Sequence, residues 1–94
     1  MNESKLQNIF SLEGKVIVIT GAGGLLGRQH SFAVAAFGGI PILIDIKEKP
    51  LSLLKSEIKK DYSIDCDVHQ IDISQEESVR INCEKVLNKF SKID

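Results

Sequence analysis

The sequence predicts an α/β fold, a parallel sheet with helices on both faces, truncated after about three β-α units. Three observations predict it. A β-branched run from Val16 to Thr20 leads straight into the glycine-rich stretch Gly21 to Gly27. A second apolar run, Ile40 to Ile46, carries an acid, Asp45, near its end. Apolar residues recur at helical spacing after each run, giving the order β, α, β, α, β, α. Short right-handed crossovers turn that order into a parallel sheet.

Each element has its own justification. Val16, Ile17, Val18 and Ile19 form an unbroken run of the kind that fills a strand covered on both faces. Leu26, Ala33, Ala36 and Phe37 predict the inward face of the first helix, with Gly38 and Gly39 as its stop. Ile40 to Ile46 forms the second strand, and Pro41 stands at its start, where a missing ladder donor matters least. Pro50 suits the first turn of a short second helix, whose inward face is Leu51, Leu54 and Ile58. Cys66, Val68, Ile71 and Ile73 predict a third strand bounded by Asp72. Ser74 and Glu77 read as a capping box opening a third helix, with Val79, Cys83, Val86, Leu87 and Phe90 on its buried face.

Bulk properties narrow the function. The 94 residues suffice for one small domain, 43% hydrophobic and 27% charged, a globular balance. A net charge of -1 leaves no basic surplus for a phosphate backbone, so nucleic acid is not an expected partner. No stretch is apolar enough to span a bilayer, and Met1 to Phe10 lacks the apolar core of a secretory signal. The expected location is the cytoplasm. Cys66 and Cys83 form no metal-ligand or disulfide pattern and read as free, buried thiols.

The glycine loop carries the chemistry. Thr20, Gly21, Ala22, Gly23, Gly24, Leu25, Leu26 and Gly27 lie between a predicted strand and a predicted helix. A helix start presents unpaired backbone N–H groups and a favourable dipole end, which suits the pyrophosphate of a dinucleotide. Gly21 permits the tight turn, Gly24 lets backbone approach the phosphates, and Gly27 lets helix and strand press together. Leu26 offers its backbone N–H to phosphate while its side chain packs inward. Asp45, ending the second strand, accepts hydrogen bonds from the adenosine ribose and repels a 2'-phosphate, so NAD is favoured over NADP. Lys47 and Arg28 are the cations that could reverse that preference; Arg28 reads equally as a phosphate contact or a solvent-facing residue. Asp72 and the backbone of Ile73 stand where the adenine ring would lie, although an ordinary turn before a helix explains Asp72 as well. The domain reading is a leader over 1–14 and a partial Rossmann-like dinucleotide-binding domain over 15–94.

Leu12-Glu13-Gly14-Lys15-Val16, the Thr20-Gly21 loop, Asp45, Asp72 and the closing Lys92-Ile93-Asp94 together resemble a short-chain dehydrogenase/reductase over essentially the whole chain. The resemblance implies an NAD(P)-binding N-terminal part of an oxidoreductase acting on an alcohol or carbonyl substrate, with Asp72 on adenine. One feature departs from it. The usual short-domain pattern places glycine at position 25, where this chain has Leu25; the loop instead reads Thr-Gly-x-x-Gly-x-x-Gly, which resembles the extended sugar-nucleotide epimerases and dehydratases.

The family's chemistry uses a Ser, a Tyr acting as general acid or base, and a Lys four residues after the Tyr. The single tyrosine here, Tyr62, lies in the turn before the third strand with Cys66 four positions later, so it does not fit that role. His30 and His69 read as surface or packing residues. The 94 residues alone are therefore expected to be inactive. With the strand order 3-2-1-4, the first strand also has an open edge, through which marginal stability and self-association are expected. Two alternatives stay open: a non-catalytic nucleotide-binding module, and a fragment of a sugar-nucleotide epimerase or dehydratase. A methyltransferase fits less well, because Thr20 stands where an acid would precede its loop.

Overall fold

A computed structural model describes residues 10–94. The first nine residues of the expected leader lie outside the described residues. Six elements follow in the expected order: β1 (Val16–Thr20), α1 (Leu25–Ala36), β2 (Ile40–Asp45), α2 (Glu48–Tyr62), β3 (Asp67–Gln70) and α3 (Glu76–Phe90). All pairing is parallel, in the order β1-β2-β3, with Val16 opposite Ile40 and Ile42 opposite Asp67.

Strand alternation divides the apolar side chains between two layers. Ile19 and Leu43, with Ile17 and Val68 beside them, face α1 and α2 and pack on Ala35, Leu51, Leu54 and Ile58. Val16 and Ile42, with Val18 and Ile40, face α3 and pack on Val86 and Phe90. The β-branched runs thus serve both faces of the sheet. Ile17 and Val18 are only half-buried, however, so β1 is less completely covered than an interior strand.

The helices correct the expected faces. α1 buries Gly27, Ser31 and Ala35, whereas Leu26, Ala33, Ala36 and Phe37 are exposed. Small side chains win here because they let the helix axis approach the sheet closely. The Ser31 hydroxyl is satisfied by donating to the Gly27 carbonyl at 2.7 Å. Gly38, at φ +87°, ends the helix as expected, its N–H donating to the Ala35 carbonyl at 3.0 Å.

α2 is not short: it runs 15 residues, with Glu48 in its first turn and Lys59 and Lys60 in its last, both complementing the helix dipole. Its buried face is Leu51, Leu54 and Ile58, as the spacing predicts, each side chain contributing about 1.5–3 kcal/mol by burial. Tyr62 is the last residue of this helix rather than part of a turn, with its ring 6.3 Å from that of Phe32.

β3 is shorter than expected. Cys66 precedes it, Ile71 and Ile73 follow it, and Ile73 is exposed. The expected capping box of α3 does not form: its N-cap is Gln75, with no side-chain cap. Ser74 instead turns back, its N–H and hydroxyl both donating to Asp72 Oδ1 at 2.9 and 2.7 Å, while Glu77 pairs with Arg80.

The row that faces the sheet from α3 is Asn82 and Val86, with Ser78 and Phe90 half-buried; Val79, Cys83 and Leu87 are exposed. Of the two thiols, Cys66 is buried as expected and Cys83 is not. Burial pushes the Cys66 thiol above its ordinary pKa and leaves it inert.

The chain returns to the outer side of β1 at its end. The Asp94 N–H donates to the Val16 carbonyl at 2.8 Å, and Asp94 Oδ2 accepts the Val16 N–H at 2.8 Å. That bond, with Lys92 beside it, holds the Asp94 carboxyl below its ordinary pKa.

Candidate nucleotide-binding site

The functional residues gather at the carboxyl ends of the three strands. β1 ends at Thr20, and Gly21 turns the chain with φ +64°, a left-handed conformation that side chains disfavour. The following loop is held from below. Ala22, fully buried, donates its N–H to the Ile44 carbonyl at 3.0 Å, and Gly23 donates its N–H to Asp45 Oδ2 at 2.9 Å. The Gly24 N–H donates to the Gly21 carbonyl at 3.0 Å and closes the turn.

α1 then begins with no side-chain cap on Gly24. The first helical N–H to find an internal acceptor is that of Arg28, which donates to the Gly24 carbonyl at 2.9 Å. Among the described residues, the N–H groups of Leu25, Leu26 and Gly27 are left as the orphan donors of the first turn, the part of a helix that binds anions. A Cβ on Gly27 would lie 2.1 Å from the Gly21 carbonyl oxygen and 2.8 Å from Ala22 Cα, so helix and turn touch backbone to backbone.

Beside this turn opens a cleft of about 240 Å³, lined by Gly21, Asp45, Ile46, Asp72 and Ile73 among others. Its walls are mostly apolar, from Ile44, Ile46, Ile71 and Ile73, and its polar groups are two carboxylates. A few polar groups on an apolar floor are the usual make-up of a small-molecule site. β2 brings Asp45 there as its last residue, and the Ile71 N–H, donating to the Asp45 carbonyl at 3.0 Å, draws the segment after β3 alongside.

Both carboxylates have structural work. Asp45 Oδ1 accepts the Lys47 N–H at 3.2 Å and Oδ2 accepts the Gly23 N–H, which leaves lone pairs on each oxygen for a further donor. Asp72 Oδ1 holds Ser74, whose hydroxyl and N–H keep the Asp72 carboxyl below its ordinary pKa and hence ionised.

Arg28 stands on the far side of the loop. Its guanidinium forms a two-pronged pair with Glu57, Nη1 to Oε1 at 3.1 Å and Nη2 to Oε2 at 2.5 Å, and lies 5.0 Å over the Phe32 ring. The guanidinium is therefore neither turned to the orphan N–H groups nor left to solvent alone.

Of the residues singled out from sequence, Gly21, Asp45, Asp72 and Ile73 line one cleft, and Gly24, Leu26 and Gly27 form the turn next to it. The Leu26 side chain points outward, 71% exposed, so its inward packing is overturned while its N–H stays at the helix start. Sequence reasoning missed Gly23 and Ile46. A side chain on Gly23 would be crowded, since a Cβ would lie 3.0 Å from both Asp45 Oδ2 and Pro50 Cβ. Its signal was the doubled glycine at 23 and 24, of which the motif uses only the second. Ile46 is 58% exposed beside the strand-end acid, an apolar residue with no packing reason to be there.

Residues 15–94 match the family model described as short chain dehydrogenase. Among curated proteins, the chain is 35% identical over 83 residues to post-translational flagellin modification protein A of Campylobacter coli, covering 88% of this chain and 32% of that protein. It is 29% identical to an NADP-dependent mannitol dehydrogenase of Hypocrea jecorina, covering 97% of this chain and 35% of that one. Among solved structures, it superposes on NADPH-dependent 3-quinuclidinone reductase from Rhodotorula rubra with TM-score 0.87 and 28% identity, over 100% of this chain and 35% of that one. It also superposes on NAD+-bound xylitol dehydrogenase with TM-score 0.84 and 28% identity, over 88% of this chain and 32% of that one. The chain thus spans about a third of the length of these relatives.

Proposed function

The chain belongs to the short chain dehydrogenase family, and we propose that residues 15–94 are the dinucleotide-binding part of an NAD-dependent oxidoreductase acting on an alcohol or carbonyl substrate, with residues 1–14 as its leader. The observation that carries this reading is the juxtaposition of three orphan N–H groups at the start of α1 with the cleft between Asp45 and Asp72. The backbone N–H groups of Leu25, Leu26 and Gly27 bind the pyrophosphate. Gly21 and Gly24 keep side chains away from it. Asp45 accepts from the adenosine ribose hydroxyls, and the adenine lies between Ile46 and Ile73 within reach of Asp72. When bound, the dinucleotide supplies the redox chemistry, giving or taking hydride.

NAD is preferred over NADP on electrostatic grounds. Asp45 and Asp72 both present negative charge to the cleft, and Arg28 is engaged by Glu57. Relatives use both cofactors, one being NADP-dependent and another NAD+-bound by name. Titration of the protein with NADH and with NADPH tests the preference: NADH binds about tenfold more tightly or better, the effect of roughly one lost charge-assisted hydrogen bond. Equal affinities would remove the argument from the acids.

The proton-transfer residues of the reaction are supplied from outside these 94 residues. Tyr62 closes α2 at the opposite end of the strands from the cleft, packed near Phe32, which suits a packing role. The 94-residue polypeptide by itself is accordingly inactive. We place the protein in the cytoplasm, where free thiols such as Cys66 and Cys83 persist; no helix among the described residues is long and apolar enough to cross a membrane.

Among the described residues, β1 is paired with β2 on one side only, and Asp94 occupies just the Val16 position on the other. The rest of that edge drives self-association of the isolated polypeptide. Sedimentation at increasing concentration is expected to show growing mass; a sharp thermal transition from a monodisperse monomer would contradict this.

A further inference from the structure

α3 rests on the sheet along one row of residues, and a cleft opens on each side of that row. Asn82 lines both. The cleft toward β3, about 300 Å³, is separate in its polar lining from the proposed nucleotide site and is formed by His69 and Gln70 of the strand with Ser78, Asn82 and Lys85 of the helix. Ser78, Asn82 and Lys85 are spaced four and three residues apart, which puts all three on one helix face.

Two of these groups, His69 and Lys85, lack a well-formed partner among the described residues. Asn82 is 6% exposed and lines the cleft from the helix side. His69 Nε2 is buried with no hydrogen-bond partner among the described residues, 3.4 Å from Asp67 Oδ2, beyond the range of a well-formed bond. The other cations of α3 are spent: Arg80 pairs with Glu77 and Glu84, and Lys89 pairs with Asp67 at 2.6 Å. Lys85 has no ion pair among the described residues, and no carboxylate lines the cleft.

We propose that the β3–α3 cleft is a second binding site, for a small oxyanion carried as a carboxylate or phosphate group, held by the Lys85 ammonium, the Asn82 amide and the Ser78 hydroxyl. The Lys85 charge attracts the anion, and the two neutral donors orient it. Asp67, the carboxylate next to His69, does not line the cleft and is paired with Lys89.

The chain has two histidines, so the imidazole resonances of selectively labelled protein report the site with an internal control. Inorganic phosphate and acetate are titrated separately into the protein. The expected result is a saturable shift of the His69 resonances with at least one of the two anions, while those of exposed His30 stay still. Lys85→Glu, at an exposed position, weakens the response by about tenfold or more. Asn82→Asp, with its added negative charge, also weakens it, and a dispersed amide spectrum of each variant establishes that it is folded. Phosphate alone acting assigns the site to phosphoryl groups, and acetate alone to carboxylates. An unresponsive His69, equal shifts of both histidines, or an unchanged response in a folded Lys85→Glu protein would overturn the proposal. NADH binding at the other site is read from the amides at the start of α1, so the two readings stand or fall separately.

Discussion

Gly27→Val destabilises the protein by about 1–3 kcal/mol or more and abolishes dinucleotide binding. The atoms that a Cβ would meet are the Gly21 carbonyl oxygen at 2.1 Å, the Gly21 carbonyl carbon at 2.7 Å and Ala22 Cα at 2.8 Å. All three belong to backbone, so no rotamer change can relieve the clash. The first turn of α1 must lift from the turn at Gly21, and the N–H groups of Leu25, Leu26 and Gly27 lose their common aim. Gly24→Ala is the control. Its Cβ would lie 3.4 Å from the Gly21 oxygen, an ordinary contact, so stability is nearly retained and any loss is confined to binding. Denaturant midpoints and NADH titrations of the two variants check both halves. Equal stability of the Gly27→Val protein and its parent would show that helix and turn are not pressed together.

Asp45→Ala is expected to lower NADH affinity by about tenfold to a hundredfold and to erase the preference over NADPH. Two effects combine. The ribose loses its acceptor, and the Gly23 N–H, now received by Oδ2 at 2.9 Å, loses its anchor, so the loop that carries the phosphate donors loosens. Leaving such a donor unpaired costs about 1–3 kcal/mol. Asp45→Asn separates the two, since an amide oxygen can still accept from Gly23 but no longer repels a 2'-phosphate. The Asn variant gives up only the exposed Lys47 N–H contact, so it keeps most of the parent's stability, and it gains NADPH affinity. Should Asp45→Ala bind NADH as the parent does, the acid has no part in cofactor recognition.

Much of this fold was legible in the residues. β-branched runs marked β1 and β2, and an i, i+3, i+7 spacing marked the buried face of α2, because large side chains there meet a sheet face with room for them. The same reasoning failed for α1 and α3. In α1 the close approach to the sheet selects Gly27, Ser31 and Ala35, so the larger Leu26 and Phe37 are turned outward, a choice set by interlayer distance and invisible in periodicity. In α3 the contact row runs through Asn82, a polar residue that no hydrophobic pattern counts, while Val79 and Cys83 line a cleft beside Thr20 and Ile93 on the β1 side. The capping box was a plausible spacing outcompeted by the local Asp72–Ser74 turn. At the site, the strand-loop-helix context and the acid at the end of β2 could be read directly, whereas the contribution of Gly23 depends on where Pro50 and Asp45 come to rest in space.

The most direct measurement is a residue-by-residue map of amide shifts on adding NADH to labelled protein. Seating of the cofactor diphosphate on α1 predicts the largest, saturable changes at Leu25, Leu26 and Gly27, with a second group at Asp45, Ile46, Asp72 and Ile73. Saturable binding that leaves the start of α1 unmoved, or no binding in a folded protein, would contradict it.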